Sequence, residues 1–227
     1  MADSRYLTEI PARADAVDVL FHTGGRVAER HYKLGPAVIA ERHYNEHGVL
    51  VLERSLSGGV RHGAEHRFDD DGWLLSRTYY REGLEHGLAQ QWSRDGLLLG
   101  EYSMEAGSGW DLWWQTFTGS SPILAEARCY RNGRRCGDEW WFLSADRLSA
   151  AACFWDDLRH GAEWRWGGSG NVERGFPRFW LQDQRVTKRV YLRAAKTDGR
   201  LLVPDVCDSE PWRTFPEVVC NAIQRHR

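Results

Sequence analysis

Glycines and aromatic residues recur along this chain at fixed offsets, and that spacing is its most legible feature. His-Gly dipeptides fall at His62-Gly63, His86-Gly87 and His160-Gly161; Cys136-Gly137 holds the same place, and Ser108-Gly109 is a weaker copy. Five residues after each of these glycines stands an aromatic residue: Phe68, Trp92, Trp114, Phe142 and Trp166. Nine residues after them comes a turn position: Gly72, Gly96, Asp146 and Gly170, with Gly119 one residue late. Gly25 and Gly48 extend the turn series towards the N-terminus, and Gly48, Gly72 and Gly96 are separated by 24 and 24 residues. Eight residues past the turn a bulky apolar side chain tends to follow, as at Leu56, Tyr80, Met104 and Phe154.

A repeat of this length decides the fold before any single element does. Glycines interrupt the chain at alternating spacings of about 9 and 15, too closely for helices of some 10–12 residues. The segments between them are rich in Trp, Tyr, Phe, Arg and Thr, which suit a pleated, half-buried surface. Asp70-Asp-Gly and Arg94-Asp-Gly supply the positive φ that hairpin turns require. Each unit therefore reads as strand, Asp-Gly-like turn, strand, Gly-containing turn. A β-propeller would need blades of about 40–45 residues, with successive units alternating in character, and they do not.

The order aromatic, Asp/Asn-Gly, strand, Tyr, Gly-x-x-His-Gly resembles the MORN-type repeat family. It is most similar to the bacterial MORN-like repeats of YwqK-type antitoxin proteins. The stretches that carry the resemblance are Tyr44-Asn-Glu-His-Gly, Tyr80-Arg-Glu-Gly-Leu-Glu-His-Gly, Trp92-Ser-Arg-Asp-Gly, Tyr130-Arg-Asn-Gly-Arg-Arg-Cys-Gly and Trp155-Asp-Asp-Leu-Arg-His-Gly. It covers roughly residues 25–175. The resemblance implies a mainly β fold, an elongated antiparallel β-hairpin solenoid or sheet used for interaction, with an antitoxin- or immunity-like role. Units around Ser108-Gly109 and Gly119-Ser-Ser-Pro-Ile are irregular, which predicts a bulge or loop there.

The ends differ from the middle. Residues 1–20 read as a lead-in, 21–181 as about six hairpin units, and 182–227 as a capping segment, because a terminal hairpin exposes an unpaired edge. Thr187 to Gly199 predicts a short helix with a Thr N-cap and a Gly stop. Thr214-Phe-Pro-Glu217 is a capping-box pattern with Val218, Val219 and Ile223 as its apolar face.

Composition narrows the function. A formal net charge of −2 argues against a globally basic nucleic-acid or membrane binder. No apolar stretch reaches 18 residues, and the first 25 residues lack the pattern of an export signal. Five cysteines, odd in number and without a C-x-x-C pair, then read as free thiols in a cytoplasmic protein.

Known catalytic motifs are not in the sequence: there is no nucleophile elbow, H-E-x-x-H, Walker loop or dinucleotide fingerprint. Equivalent histidines of successive units would stand about 9–10 Å apart along a sheet, too far to converge on one metal ion. Their expected role is a hydrogen bond to turn backbone. The sequence thus predicts no enzyme, no metal and no cofactor.

Strand alternation puts neighbours on opposite faces. With Trp114 and Phe142 inward, Trp113 and Trp141 point outward; the same argument sets Tyr79 apart from Tyr80 and Trp155 apart from Phe154. Tyr79, Trp113, Trp141 and Trp155 are therefore the candidate partner-binding residues. A second candidate is the basic segment from Arg174 to Arg200, with a local charge of +6, in which Arg185, Lys188, Arg189 and Arg193 would form a docking patch. The expected activity is that of a non-catalytic module that binds, and neutralises or restrains, a partner protein such as a toxin or a regulated enzyme. The competing readings are a membrane-associated scaffold and an enzyme without a recognisable motif.

Overall fold

The computed structural model describes residues 6–117, 120–145, 147–202 and 215–226. Those residues are mainly β, with two short helices, and the chain divides into two compact units, Met1–Gly107 and Ser108–Arg227. The first unit holds β1 (Asp15–Phe21), β2 (Val27–Leu34), β3 (Ala37–Tyr44), β4 (Leu50–Ser57), β5 (Val60–Phe68), β6 (Leu74–Arg81), β7 (Leu84–Glu85), β8 (Gly87–Trp92) and β9 (Leu98–Glu105). All the pairings are antiparallel, and β7 and β8 both pair with β6, as one strand broken at His86. The second unit repeats the scheme with β10 (Ser108–Gln115), β11 (Ile123–Arg131), β12 (Arg134–Ser144), β13 (Arg147–Trp155), β14 (Leu158–Arg159), β15 (Gly161–Arg165), β16 (Arg178–Leu181) and β17 (Gln184–Val186). There β14 and β15 both pair with β13, broken at His160, and the helices α1 (Lys188–Ala194) and α2 (Glu217–Gln224) follow. The sequence expectation of a mainly β, antiparallel hairpin sheet with a small helical C-terminal segment holds.

Two kinds of turn alternate. In the longer one, Gly48 donates to the Asn45 carbonyl at 2.9 Å while Asn45 donates to Val49 at 2.9 Å; Asp69, Gly72 and Trp73 repeat it, as do Ser93, Gly96 and Leu97. The leading side chain caps the loop: Asn45 Oδ1 accepts from His47 and Val49, Asp69 Oδ1 from Asp71 and Trp73, and Ser93 Oγ from Leu97. Such local bonds are what Asn, Asp and Ser offer a turn. The other kind is a two-residue turn with both φ positive, at Gly58-Gly59, Glu82-Gly83, Ala106-Gly107, Asn132-Gly133, Asp156-Asp157 and Gln182-Asp183, the twist-matched geometry of tight hairpins.

The His-Gly signature belongs to neither. Gly63 and Gly137 lie inside β5 and β12, while Gly87 and Gly161 open β8 and β15, at φ of 104°, 81°, 101° and 153°. At this kink the residue preceding the His or Cys sends its carbonyl to the next tight turn. Arg61 accepts from Gly83 at 2.9 Å, Glu85 from Gly107 at 2.7 Å, Arg135 from Asp157 at 3.1 Å and Arg159 from Asp183 at 2.9 Å. The histidines work on the same turns: His86 Nδ1 accepts from Ala106 N–H at 3.2 Å and His160 Nδ1 from Gln182 N–H at 3.4 Å. Glycine is required where the chains also close in, since a Cβ on Gly161 would stand 2.5 Å from Cys153 Cβ.

The five marker aromatics, Phe68, Trp92, Trp114, Phe142 and Trp166, are all buried. In the first unit Phe68, Leu74 and Trp92 form a core closed by Tyr6, Leu50 and Leu98. The lead-in is an arm laid across the sheet. Tyr6 sets its ring edge-on to His66 and Phe68 at 5.1 and 5.0 Å and donates its hydroxyl to Glu53. Thr8 also donates to Glu53, at 3.0 Å, Arg42 reaches it at 2.7 Å, and Glu9 accepts from Ala64 N–H at 3.0 Å. Glu53 is thus buried with three partners, Tyr6, Thr8 and Arg42, as a buried carboxylate must be.

In the second unit Trp110 stacks on Trp140 at 5.2 Å, and Phe215, just before α2, meets Trp140 edge-on at 5.0 Å. Helix α1 has the expected Thr187 cap, whose Oγ1 accepts from Val190, but it ends at Ala194, before Gly199. Its Tyr191 is fully buried on Phe179 and donates to the Leu202 carbonyl at 2.7 Å. Helix α2 buries Val219 and Ala222 and leaves Val218 exposed; Thr214 of the expected capping box lies outside the described residues.

Three outcomes follow from this packing. Trp92→Ala costs about 3–5 kcal/mol in urea unfolding. Gly161→Ala costs more than about 1 kcal/mol, because φ and the Cys153 contact both oppose it; adding Cys153→Gly recovers part of the loss, and no recovery would mean the contact is not the cause. His66 carries a pH signature. Burial, with Arg77 adding to it and Glu53 and Glu9 opposing, holds its imidazole below the usual value. The unfolded chain protonates first, near pH ~6.5, so the stability His66 confers declines as pH falls through that value towards the folded pKa. The stability gap between wild type and His66→Gln therefore narrows between pH 7.5 and 5.5; parallel profiles would remove this role.

Candidate partner-binding face

The register of the second unit sorts its side chains. Trp113 pairs with Glu126, Glu126 with Trp141, Trp141 with Ala150, and Ala150 with Arg165, so these five share one face. Beside them runs a second row on the same face: Asp111 opposite Arg128, Arg128 opposite Glu139, and Glu139 opposite Ala152. The Ala151–Trp164 pair brings Glu163 next to Ala152. On the opposite face lie Leu112, Ala127, Trp140 and Ala151, all buried.

Over β13 this face sinks into an open groove of about 700 Å³. Ala150 and Ala152 make the floor, because small side chains there leave the space their neighbours fill elsewhere. Trp141, Phe154 and Trp166 supply apolar walls; Arg135, Asp157, Arg159, Glu163, Arg165, Glu173 and Asp183 supply charge. Arg135 stacks on Phe154 at 4.1 Å and reaches Glu139 at 3.5 Å. Arg159 pairs with Asp183 at 3.0 Å, and Glu163 accepts from Trp180 Nε1 at 2.9 Å with Arg165 at 3.5 Å. Burial raises the carboxyl of Glu139 above its usual pKa, against the lowering effect of Arg128 and Arg135.

The structure brings some of the four candidate aromatics together and separates others. Trp113, 38% exposed, and half-buried Trp141 stand on one face with Glu126 between them. Trp155 pairs with Cys136, an odd number of residues from Trp141, and so faces the other way. It lies under Arg131 and Arg200, 5.8 and 4.9 Å from their guanidinium carbons. Phe154, read as inward, is the residue that lines the groove with Trp141. Irregularities in the β12–β13 ladder between Trp141 and Ser144 set Phe142 opposite Leu148, and its ring packs on Phe215 instead. Tyr79 belongs to the first unit, opposite Ala64, with Arg77 over its ring at 5.7 Å. Alternation alone could not show the groove, but the run Ala150-Ala-Ala152 in a strand of large residues was a signal for it.

Arg185, Lys188, Arg189 and Arg193 are all exposed, on β17 and α1. Tyr191 turns inward, so Lys188, Arg189 and Arg193 form the solvated side of a packed helix, and Arg193 suits the helix C-terminus. Cys129, Cys136, Cys153 and Cys220 are free, and Cys207 lies outside the described residues. Burial pushes the thiols of Cys129 and Cys153 up to about 12, which keeps them protonated and poorly nucleophilic at neutral pH.

In the first unit Glu29, His31 and Glu41 bring ligand atoms within 4.8 Å of one another, because β2 and β3 set His31 opposite Glu41. The spacing argument considered equivalent positions of successive units and missed neighbours on adjacent strands. Glu41 is shared there with Arg54 at 3.1 Å and His43 at 3.2 Å, so neighbouring side chains already serve it. Among the described residues no helix is long and apolar enough to cross a membrane.

No family model and no curated protein matches the chain. A likeness is found to a chain of the Glycosylation Associate Protein (Gap123) complex from Streptococcus agalactiae, at 23% identity and a TM-score of 0.35. It covers 48% of this chain and 20% of that one.

Exposure and partner geometry set two expectations. Trp113→Ala leaves the melting temperature within a few degrees, since an exposed ring leaves no cavity. Arg128→Met strands the buried carboxylate of Glu139 and costs about 1–3 kcal/mol in urea unfolding; an unchanged midpoint would mean that Arg135 alone satisfies Glu139.

Proposed function

We propose that this chain is a non-catalytic, cytoplasmic protein-interaction module that binds and restrains a partner protein through the Trp113–Trp141 face of its second unit. The observation that carries the reading is the open groove over Ala150 and Ala152, walled by Trp141, Phe154 and Trp166. Large rings beside arginines and a polar rim are the composition of protein interfaces, where aromatic and Arg side chains act as anchors. A sheet floor with small residues suits an extended segment better than a compact metabolite. The resemblance to MORN-like antitoxin repeats supports an immunity-like sense for the binding, with a toxin or a regulated enzyme as the restrained partner.

The test compares faces. Immobilised protein is exposed to lysate of the native host, and the captured partner is then titrated against variants. Trp113→Ala and Trp141→Ala each weaken that partner by about tenfold or more, while alanine at Arg185, Lys188, Arg189 and Arg193 together leaves it unchanged. Equal capture by both tryptophan variants, or loss only in the basic-patch variant, would overturn the assignment.

A further inference from the structure

Both units carry a row of alternating charge across their strands, and comparing the two exposes a gap. In the first unit the row runs His31, Glu41, Arg54, Glu65. Arg54 stands between two carboxylates and reaches both, Glu41 at 3.1 Å and Glu65 at 3.4 Å. In the second unit the row runs Asp111, Arg128, Glu139, Ala152, Glu163, Arg178, the last with its guanidinium over the Phe176 ring at 4.3 Å. Arg128 again bridges its neighbours, Asp111 at 3.6 Å and Glu139 at 2.9 Å. Between Glu139 and Glu163 the next bridging cation is missing, and Ala152 occupies its place on the groove floor.

The neutralisation is correspondingly uneven. Glu65 is met by Arg54, Arg61 and Arg67, and Glu139 by Arg128 and Arg135. Among the described residues Glu163 is met by one guanidinium, Arg165 at 3.5 Å, and that side chain is 54% exposed. Glu163 itself is 8% exposed and held by the Trp180 indole, so its position is fixed whatever Arg165 does. Two strand spacings separate the carboxylates, roughly 9–10 Å, the span that Arg54 serves in the first unit.

We infer that the groove takes an arginine side chain from an extended segment of the partner, its guanidinium completing the row between Glu139 and Glu163 above Ala152. A planar, permanently charged fork can address carboxylates on two sides, which a point-like ammonium does less well. The arginine stem would lie on Ala150 and Ala152, with Trp141 beside it for contact with the cation. This rests on the interaction reading of the groove and adds the chemistry of what enters it.

The probe is the peptide acetyl-Ala-Arg-Ala-amide, with its citrulline counterpart as the neutral isostere. Binding is followed by NMR through the Trp180 indole N–H, which touches Glu163 directly. A saturable shift is expected with the arginine peptide, at least about tenfold weaker with citrulline and with Glu163→Gln. Ala152→Arg fills the row from within and abolishes the response while the protein remains folded. Should that variant unfold, Glu163→Gln still decides, because glutamine keeps an acceptor for the indole. Equal response to both peptides, an unchanged response in Glu163→Gln, or no saturation would overturn the inference. If the arginine peptide fails while capture of the partner still depends on Trp141, the guanidinium slot falls and the interaction reading stands. If both fail, both fall.

Discussion

The backbone bond between one kinked strand and the next tight turn is the constraint on which the repeat depends. Ordinary ladder bonds join neighbouring strands, but the bond from Gly83 to Arg61, or from Asp183 to Arg159, reaches beyond them to the following hairpin. It requires a residue of positive φ at the kink, and at Gly161, which lies against Cys153, it also leaves no room for a side chain. Spacing is then tied to geometry: a strand longer or shorter by one residue would put the donor on the wrong side of the ladder and turn every side chain to the other face. A turn every 24 residues or so is thus a condition of pairing.

With backbone geometry set this way, the side chains on each face must solve a problem of charge. The strands hold carboxylates that are almost fully buried, Glu53, Glu65 and Glu139, and a buried carboxylate is tolerable only when paired and hydrogen-bonded. The first unit meets the need from its own chain, by the arm at Glu53 and by arginines at Glu65. The second unit does so as far as Glu139 and then changes its means, with an indole at Glu163 and alanines beside it. Structure and candidate site therefore share one origin, a ladder whose regularity lapses at one rung.

Much of the fold was legible because it is written in spacing. The marker aromatics, the longer turns and the Thr187-capped helix all follow from offsets a reader can count. What the histidines of the signature do was legible in kind, since His86 and His160 bond to turn backbone as expected. Faces were harder. Alternation separated Trp113 from Trp114 correctly, yet the pairing of β12 with β13, which neither strand's own pattern reveals, put Phe154 in the groove with Trp141 and left Trp155 on the far side. The groove itself is a tertiary fact, formed by alanines that leave space and charges that meet across strands. The arm over Glu53 was illegible too, because Tyr6 and Thr8 find partners some 45 residues away.

That arm has a consequence for how the chain is made. Tyr6, Thr8 and Glu9 leave the ribosome ahead of the groups that hold them, Glu53, Ala64, His66 and Phe68, which emerge some 45–60 residues later. Until β5 has paired, the arm has nowhere to dock, and Glu53 on β4 has no cover. Closing that long loop is therefore a late event in the assembly of the first unit, although the arm is made before the strands that receive it. A bulky fusion placed immediately ahead of Tyr6 would have to be carried to the sheet with it, whereas one placed after α2 would leave this step untouched.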